Sequence, residues 1–165
     1  MSDRSLKVRG CDFIATGFYS GLLNPAPGTW GTAAAVITIG LFHHLFPAID
    51  TLIIAVFLTA IGIWSANVVW QAKIYPGGKK EDDPGQIVID EFAGYAVALV
   101  GLPMQWTTYL GCFLLFRLFD IVKPPPVKWF ERFTGGVGIV LDDVVAGIYA
   151  GLAYRLIVTA TGGII

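Results

Sequence analysis

Between residues 31 and 160 the chain passes through five apolar stretches of helical length, at 31–46, 51–70, 87–102, 107–122 and 137–160. Turns or charged loops separate them, and this alternation constrains the fold more than any other feature. A membrane-spanning helix needs about 20 mainly apolar residues. Backbone inside hydrocarbon must satisfy its own hydrogen bonds, which leaves helices or closed barrels as spanning structures. Several of the five stretches are short for a crossing, so tilt or extension into the flanks is expected. Only 14% of the residues are charged, whereas soluble domains carry about a quarter. The expected fold is all-α: a compact polytopic membrane bundle of about five apolar helices, forming one domain over residues 1–165.

The connections set the topology. Residues 46–50 and 102–106 are tight, nearly uncharged turns, while 71–86 and 123–136 are long polar loops. Arg4, Lys7 and Arg9 precede the first stretch, Lys73, Lys79 and Lys80 follow the second, and Lys123, Lys128 and Arg132 follow the fourth. Two stretches separate each consecutive pair of groups, so all three lie on one side, which the positive-inside rule makes cytoplasmic. Arg117 and Arg155 fall within stretches, and Arg155, near the far end of the last, is expected to snorkel outward. No cleavable signal peptide is expected after the basic N-terminus. Residues 11–24 are apolar but too short to span, and suggest an interfacial or re-entrant helix, with a soluble core helix as the alternative. They end in Asn24-Pro25-Ala26-Pro27-Gly28-Thr29, a rigid turn in which Thr29 is expected to cap the next helix. Cys11 and Cys112 read as small buried hydrophobes rather than a disulfide or a metal site. His43-His44 reads as interfacial, on the opposite face. A net charge of −1 gives no case for nucleic-acid binding.

Within this layout Asp83, Asp90, Glu91, Asp120, Asp142 and Asp143 all fall at the cytoplasmic ends of the stretches, and Asp50 alone at the other. Acids at membrane depth are expensive and mark a functional site by default. Hard oxygen donors with no neighbouring Cys or His favour Mg²⁺, with Mn²⁺ or Ca²⁺ as alternatives. Asp83 and Asp90 share a helix face if the helix starts early, although Pro84-Gly85 also allow a turn. Asp90 and Glu91 diverge by about 100° on a helix, so one suits a metal while the other braces a neighbour. Arg117 and Asp120 are three apart on one face, and the prolines at 124–126 end the helix near Lys123. Two cations beside an acid suit a phosphate next to a metal. The bland readings are acids complementing helix dipoles and a plain Arg117–Asp120 ion pair. Gly135-Gly136, opening the last helix, offer free N–H groups to an anion, and Gly147 with Gly151 suit close helix packing.

Taken in order, Pro27-Gly28-Thr29-x-Gly31, Ile87-Val88-x-Asp90-Glu91-Phe92, Phe116-Arg117-x-x-Asp120-x-x-Lys123-Pro124 and Gly135-Gly136-x-Gly138-Ile139-x-x-Asp142-Asp143-x-x-Ala146-Gly147 resemble the phosphatidylglycerophosphatase A family. The resemblance implies a Mg²⁺-dependent enzyme of the bacterial inner membrane, its site facing the cytoplasm. Its substrate would be the phospholipid phosphatidylglycerophosphate, and its products phosphatidylglycerol and phosphate. On that reading Asp90, Glu91, Asp142 and Asp143 hold one or two Mg²⁺, with Asp120 and Asp83 as further ligands or a base. Arg117 and Lys123 neutralise charge on the transferring group, and Thr29, Gly135 and Gly136 help to bind the headgroup. Attack by a metal-activated water is preferred, with an aspartyl-phosphate on Asp142 or Asp143 as the alternative. A competing class is a small transporter or ion-binding subunit, which predicts acids spread through the bilayer depth. Another is a structural subunit whose acids pair with a partner's bases. The oligomeric state is not readable from the chain.

Overall fold

A computed structural model describes residues 5–75, 84–130 and 132–162, and those residues form helices and connecting turns without a strand. Asp83, with Lys79 and Lys80 of the basic loop, lies outside them. α1 is Leu6–Ala15, α2 Pro27–Leu45, α3 Thr51–Gln71, α4 Ile89–Leu99, α5 Trp106–Val122, α6 the single turn Val127–Phe130, and α7 Gly135–Ala160.

Local chemistry fixes most of the helix boundaries. Pro27 occupies the first turn of α2, where its preset φ suits a helix and its missing N–H costs nothing. Thr29 therefore lies inside that turn and is not the cap; Ala26 takes that place without a side-chain bond. Asp50 caps α3 by accepting from the Leu52 N–H at 2.7 Å. The run of prolines ends α5, with Lys123 in a left-handed conformation just beyond it. Pro84–Ile87 is a turn closed by the Ile87 N–H on the Pro84 carbonyl, so α4 begins only at Ile89. The helix start that would put Asp83 and Asp90 on one face does not occur.

α2, α4 and α7 begin at the end of the bundle where α3 and α5 finish. α4 is the axis: every residue in it except Val97 is buried, because α2, α3, α5 and α7 surround it. Its closest neighbour is α7. Gly94 and Ala98 of α4 meet Gly147 and Gly151 of α7, and a Cβ on Gly147 would press on the Gly94 carbonyl oxygen. The small-residue pair thus packs helices, as its spacing suggests.

The outer surface is apolar. Ile37 and Leu41 on α2, Val56 and Phe57 on α3, Leu114 and Ile121 on α5, and Leu152 and Leu156 on α7 are each more than half exposed. Among the described residues two helices, α3 and α7, are long and apolar enough to cross a membrane. α4 has 11 residues and α5 has 17, so the expected stretch at 87–102 is only partly helical. The apolar segment at 11–24 is not a helix of its own: α1 starts earlier and ends at Ala15, and a turn with a short 3-10 helix at Ser20–Leu22 follows. Arg155 does not snorkel outward. Its guanidinium donates to the Val100 carbonyl, one of the carbonyls left without a partner at the end of α4. Cys11 and Cys112 are both buried and free. His43 is buried at the end opposite the acids, 3.3 Å from the Thr51 hydroxyl, while His44 is exposed.

Candidate active site

The first turn of α4 brings Asp90 and Glu91 into the middle of the bundle, and α7 brings Asp143 against them where the two helices cross. One carboxylate oxygen from each of the three lies within 4.8 Å of the others, and all three side chains are buried. Adjacency on a helix does not separate Asp90 from Glu91, because both reach the same cluster; the extra methylene of Glu91 spans the difference in direction. The pair that does diverge is Asp142 and Asp143. Asp143 turns inward toward Asp120 as well, while Asp142 turns to the Lys123 ammonium.

α5 supplies the cations. The Arg117 guanidinium lies 2.8 Å from Asp120, 3.6 Å from Glu91 and 3.3 Å from the Thr32 hydroxyl. Lys123, held at the end of α5, also approaches Asp120 at 3.7 Å. Burial alone pushes the Lys123 ammonium down. The adjacent Asp142, with Asp143 and Asp120, more than reverses this and holds its pKa above the ordinary lysine value. α2 completes the wall: Gly28 lies so close to Glu91 and Arg117 that a Cβ there would strike the Glu91 carboxylate.

The carboxylates crowd one another. Asp90, Glu91 and Asp143 bring three buried acids together beside Arg117. Uncompensated buried charge is costly. One oxygen of Glu91 is buried with no hydrogen-bond partner. Converging buried hard oxygens and an orphaned carboxylate oxygen fit a divalent cation of the Mg²⁺ type.

The remaining candidates sit apart from this cluster. Thr29 is exposed on the outer side of the first turn of α2. Gly135 and Gly136 close the start of α7 onto Asn67 of α3. The transporter alternative predicted acids at many depths, yet Asp90, Glu91, Asp120, Asp142 and Asp143 gather at one end of the bundle. Gly28 belongs to the first motif block and Thr32 directly follows it, but their contacts with Glu91 and Arg117 depend on where the helix starts. Recognising Pro27 as the first helical residue would have placed Gly28 and Thr32, four apart, on one inward face.

The family model for phosphatidylglycerophosphatase A matches residues 13–158. The chain belongs to the phosphatidylglycerophosphatase A family. A Haemophilus influenzae protein named phosphatidylglycerophosphatase A is 41% identical over 139 residues, covering 83% of this chain and 82% of the relative. The Escherichia coli protein of the same name is 37% identical over 144 residues, covering 86% and 80%. A Bacteroides thetaiotaomicron protein with the provisional name phosphatidylinositol-3-phosphatase is 41% identical over 147 residues, covering 83% and 86%. No solved structure matches. All four quoted motif blocks fall inside the matched region, and nothing in the family's name suggests transport.

Proposed function

We propose that the chain hydrolyses the phosphomonoester of phosphatidylglycerophosphate to phosphatidylglycerol and inorganic phosphate, with Mg²⁺, at the cytoplasmic face of the bacterial inner membrane. The observation that carries this reading is the convergence of Asp90, Glu91 and Asp143 beside Arg117, in a member of this family. Asp90, Glu91 and Asp143 would hold the metal. When bound there it supplies Lewis-acid stabilisation of phosphate oxygens and a more acidic water. Arg117, pinned by Asp120, Glu91 and Thr32, presents a preformed fork to the phosphate and stabilises charge on its oxygens in the transition state. Lys123 adds a second positive charge at the rim. Water oxygen bonds to phosphorus as the bond from phosphorus to the glycerol oxygen breaks. The proton that water loses passes through the carboxylate cluster to the departing alkoxide. Pairing of Asp142 with Lys123 favours this route over phosphorylation of Asp142.

The apolar exterior supports a bilayer setting. α3 and α7 cross, α2 and α5 cross with tilt, and α4 completes the depth with buried extended flanks, since non-helical backbone is tolerated in membranes where protein encloses it. Lys7, Arg9, Lys73, Lys123, Lys128 and Arg132 all belong to segments at the acidic end, as the positive-inside rule requires of a cytoplasmic face. Residues 1–165 act as one domain.

The decisive measurement is phosphate release by the purified, folded protein, with Mg²⁺ varied and with phosphatidylglycerophosphate and phosphatidylinositol 3-phosphate compared. Release from the first lipid that needs Mg²⁺ is expected, as is a loss of roughly a hundredfold or more in Asp90→Asn and in Asp143→Asn. No Mg²⁺-dependent release would sink the reading. Preference for the inositol lipid would retain the chemistry and replace the substrate.

A further inference from the structure

On the flank of α4 away from the acids, an apolar groove of about 420 Å³ opens between α2 and α3. Ile39 and Phe42 line it from α2, Ile53 and Phe57 from α3, and Ile89 and Phe92 from α4. Its one polar side chain among the described residues is Thr38. Ile53 and Phe57 are 63% and 61% exposed, so the groove opens to the surroundings of the bundle.

α2 connects this groove to the phosphate end. Gly28, Thr32, Ala35, Ile39 and Phe42 follow one another by four, three, four and three residues, which makes a single helical stripe. Gly28 and Thr32 face Glu91 and Arg117, and Ile39 and Phe42 line the groove. Seven residues separate Thr32 from Ile39, a rise of about 10 Å. The polar headgroup layer on each side of a bilayer is roughly 5–8 Å thick. A lipid whose phosphate lies at Arg117 therefore has its acyl chains at the depth of the groove. At about 420 Å³ the groove lies within the range of about 300–1,000 Å³ usual for small-molecule sites.

We propose that this groove seats one acyl chain of the lipid substrate, so that the protein grips its substrate by a tail as well as by the phosphate. The proposal rests on the lipid-phosphatase reading above and deepens it.

Two measurements test it. In the first, phosphate release is compared between dipalmitoyl and dihexanoyl phosphatidylglycerophosphate for the wild type, Ile54→Trp and Thr38→Trp, both of which fill the groove. Filling is expected to lower kcat/KM for the dipalmitoyl lipid by roughly tenfold or more while leaving the dihexanoyl lipid within about twofold. An equal loss on both lipids, or none on either, in folded variants overturns the proposal. In the second, phosphatidylglycerol carrying a diazirine on its acyl chain is photo-crosslinked to the protein. Labels are expected on Ile39, Phe42, Ile53 or Phe57, and their loss is expected in Ile54→Trp. Labels spread evenly onto Leu114 and Leu152 would show ordinary surrounding lipid only and overturn it. A wild type that releases no phosphate sinks the lipid-phosphatase reading by itself, while the labelling still decides the groove.

Discussion

Replacing Gly147 with alanine tests whether the acidic cluster depends on the closest helix crossing in the bundle. A Cβ at position 147 presses on the Gly94 carbonyl oxygen, a backbone atom that no rotamer change can move. In an open helix the same substitution stabilises by up to about 1 kcal/mol. Overpacking a tight contact costs about 1–3 kcal/mol. With backbone on both sides the upper half of that range applies, so the net effect is a loss of about 1–2 kcal/mol. For a chain of this size that lowers Tm by about 2–8 °C. Relief comes from moving α7 away from α4, and that motion carries Asp143, one turn earlier on α7, away from Asp90 and Glu91. A displacement near 1 Å at a reacting centre costs on the order of a hundredfold in rate. Gly10→Ala is the control: Gly10 lies within α1 with nothing inside 4 Å of an added Cβ, so stability rises by about 0.5–1 kcal/mol and the rate stays unchanged. The assay pairs thermal unfolding in detergent with Mg²⁺-dependent phosphate release. Gly147→Ala with wild-type Tm and rate would refute both the close crossing and its link to the site.

Two other substitutions probe the cations. Arg117→Lys keeps the charge but loses the fork that reaches Thr32, Glu91 and Asp120 together; kcat is expected to fall by roughly tenfold or more with the fold intact, and an unchanged kcat would remove Arg117 from the phosphate site. Lys123→Met leaves the buried Asp142 carboxylate without its ammonium and is expected to cost about 1–3 kcal/mol of stability. Adding Asp142→Asn should recover part of that loss, and simple additivity of the two effects in unfolding measurements would show that the pair does not couple.

Much of this architecture was legible in the chain. Apolar stretches bounded by charged loops implied helices, and the alternation of basic loops implied their directions, because both signals depend on solvation of short segments. The proline run after Lys123 and the Gly147–Gly151 spacing were readable for the same local reason. The extent of α4 was not. Its apolar sequence continues past both ends of the helix, but a turn at Pro84–Ile87 and the end at Val100 shorten it. Position at the centre of the bundle, rather than length, makes that segment apolar. Thr29 misled because its type suits a cap, while the proline two residues earlier had already started the helix.

The acids show the division most clearly. Sequence alone determined that Asp90, Glu91, Asp120, Asp142 and Asp143 lie near one end of the bundle, since the depth of a side chain follows from its place along a helix. Only the tertiary structure decided which of them meet. It joined Asp90, Glu91 and Asp143 into one cluster, brought Arg117 with its i,i+3 partner Asp120 up to Glu91, and turned Asp142 to Lys123. Those choices depend on how each helix is rotated about its axis. Rotation is set by the Gly94–Gly147 contact and by packing around α4, between residues far apart in the chain.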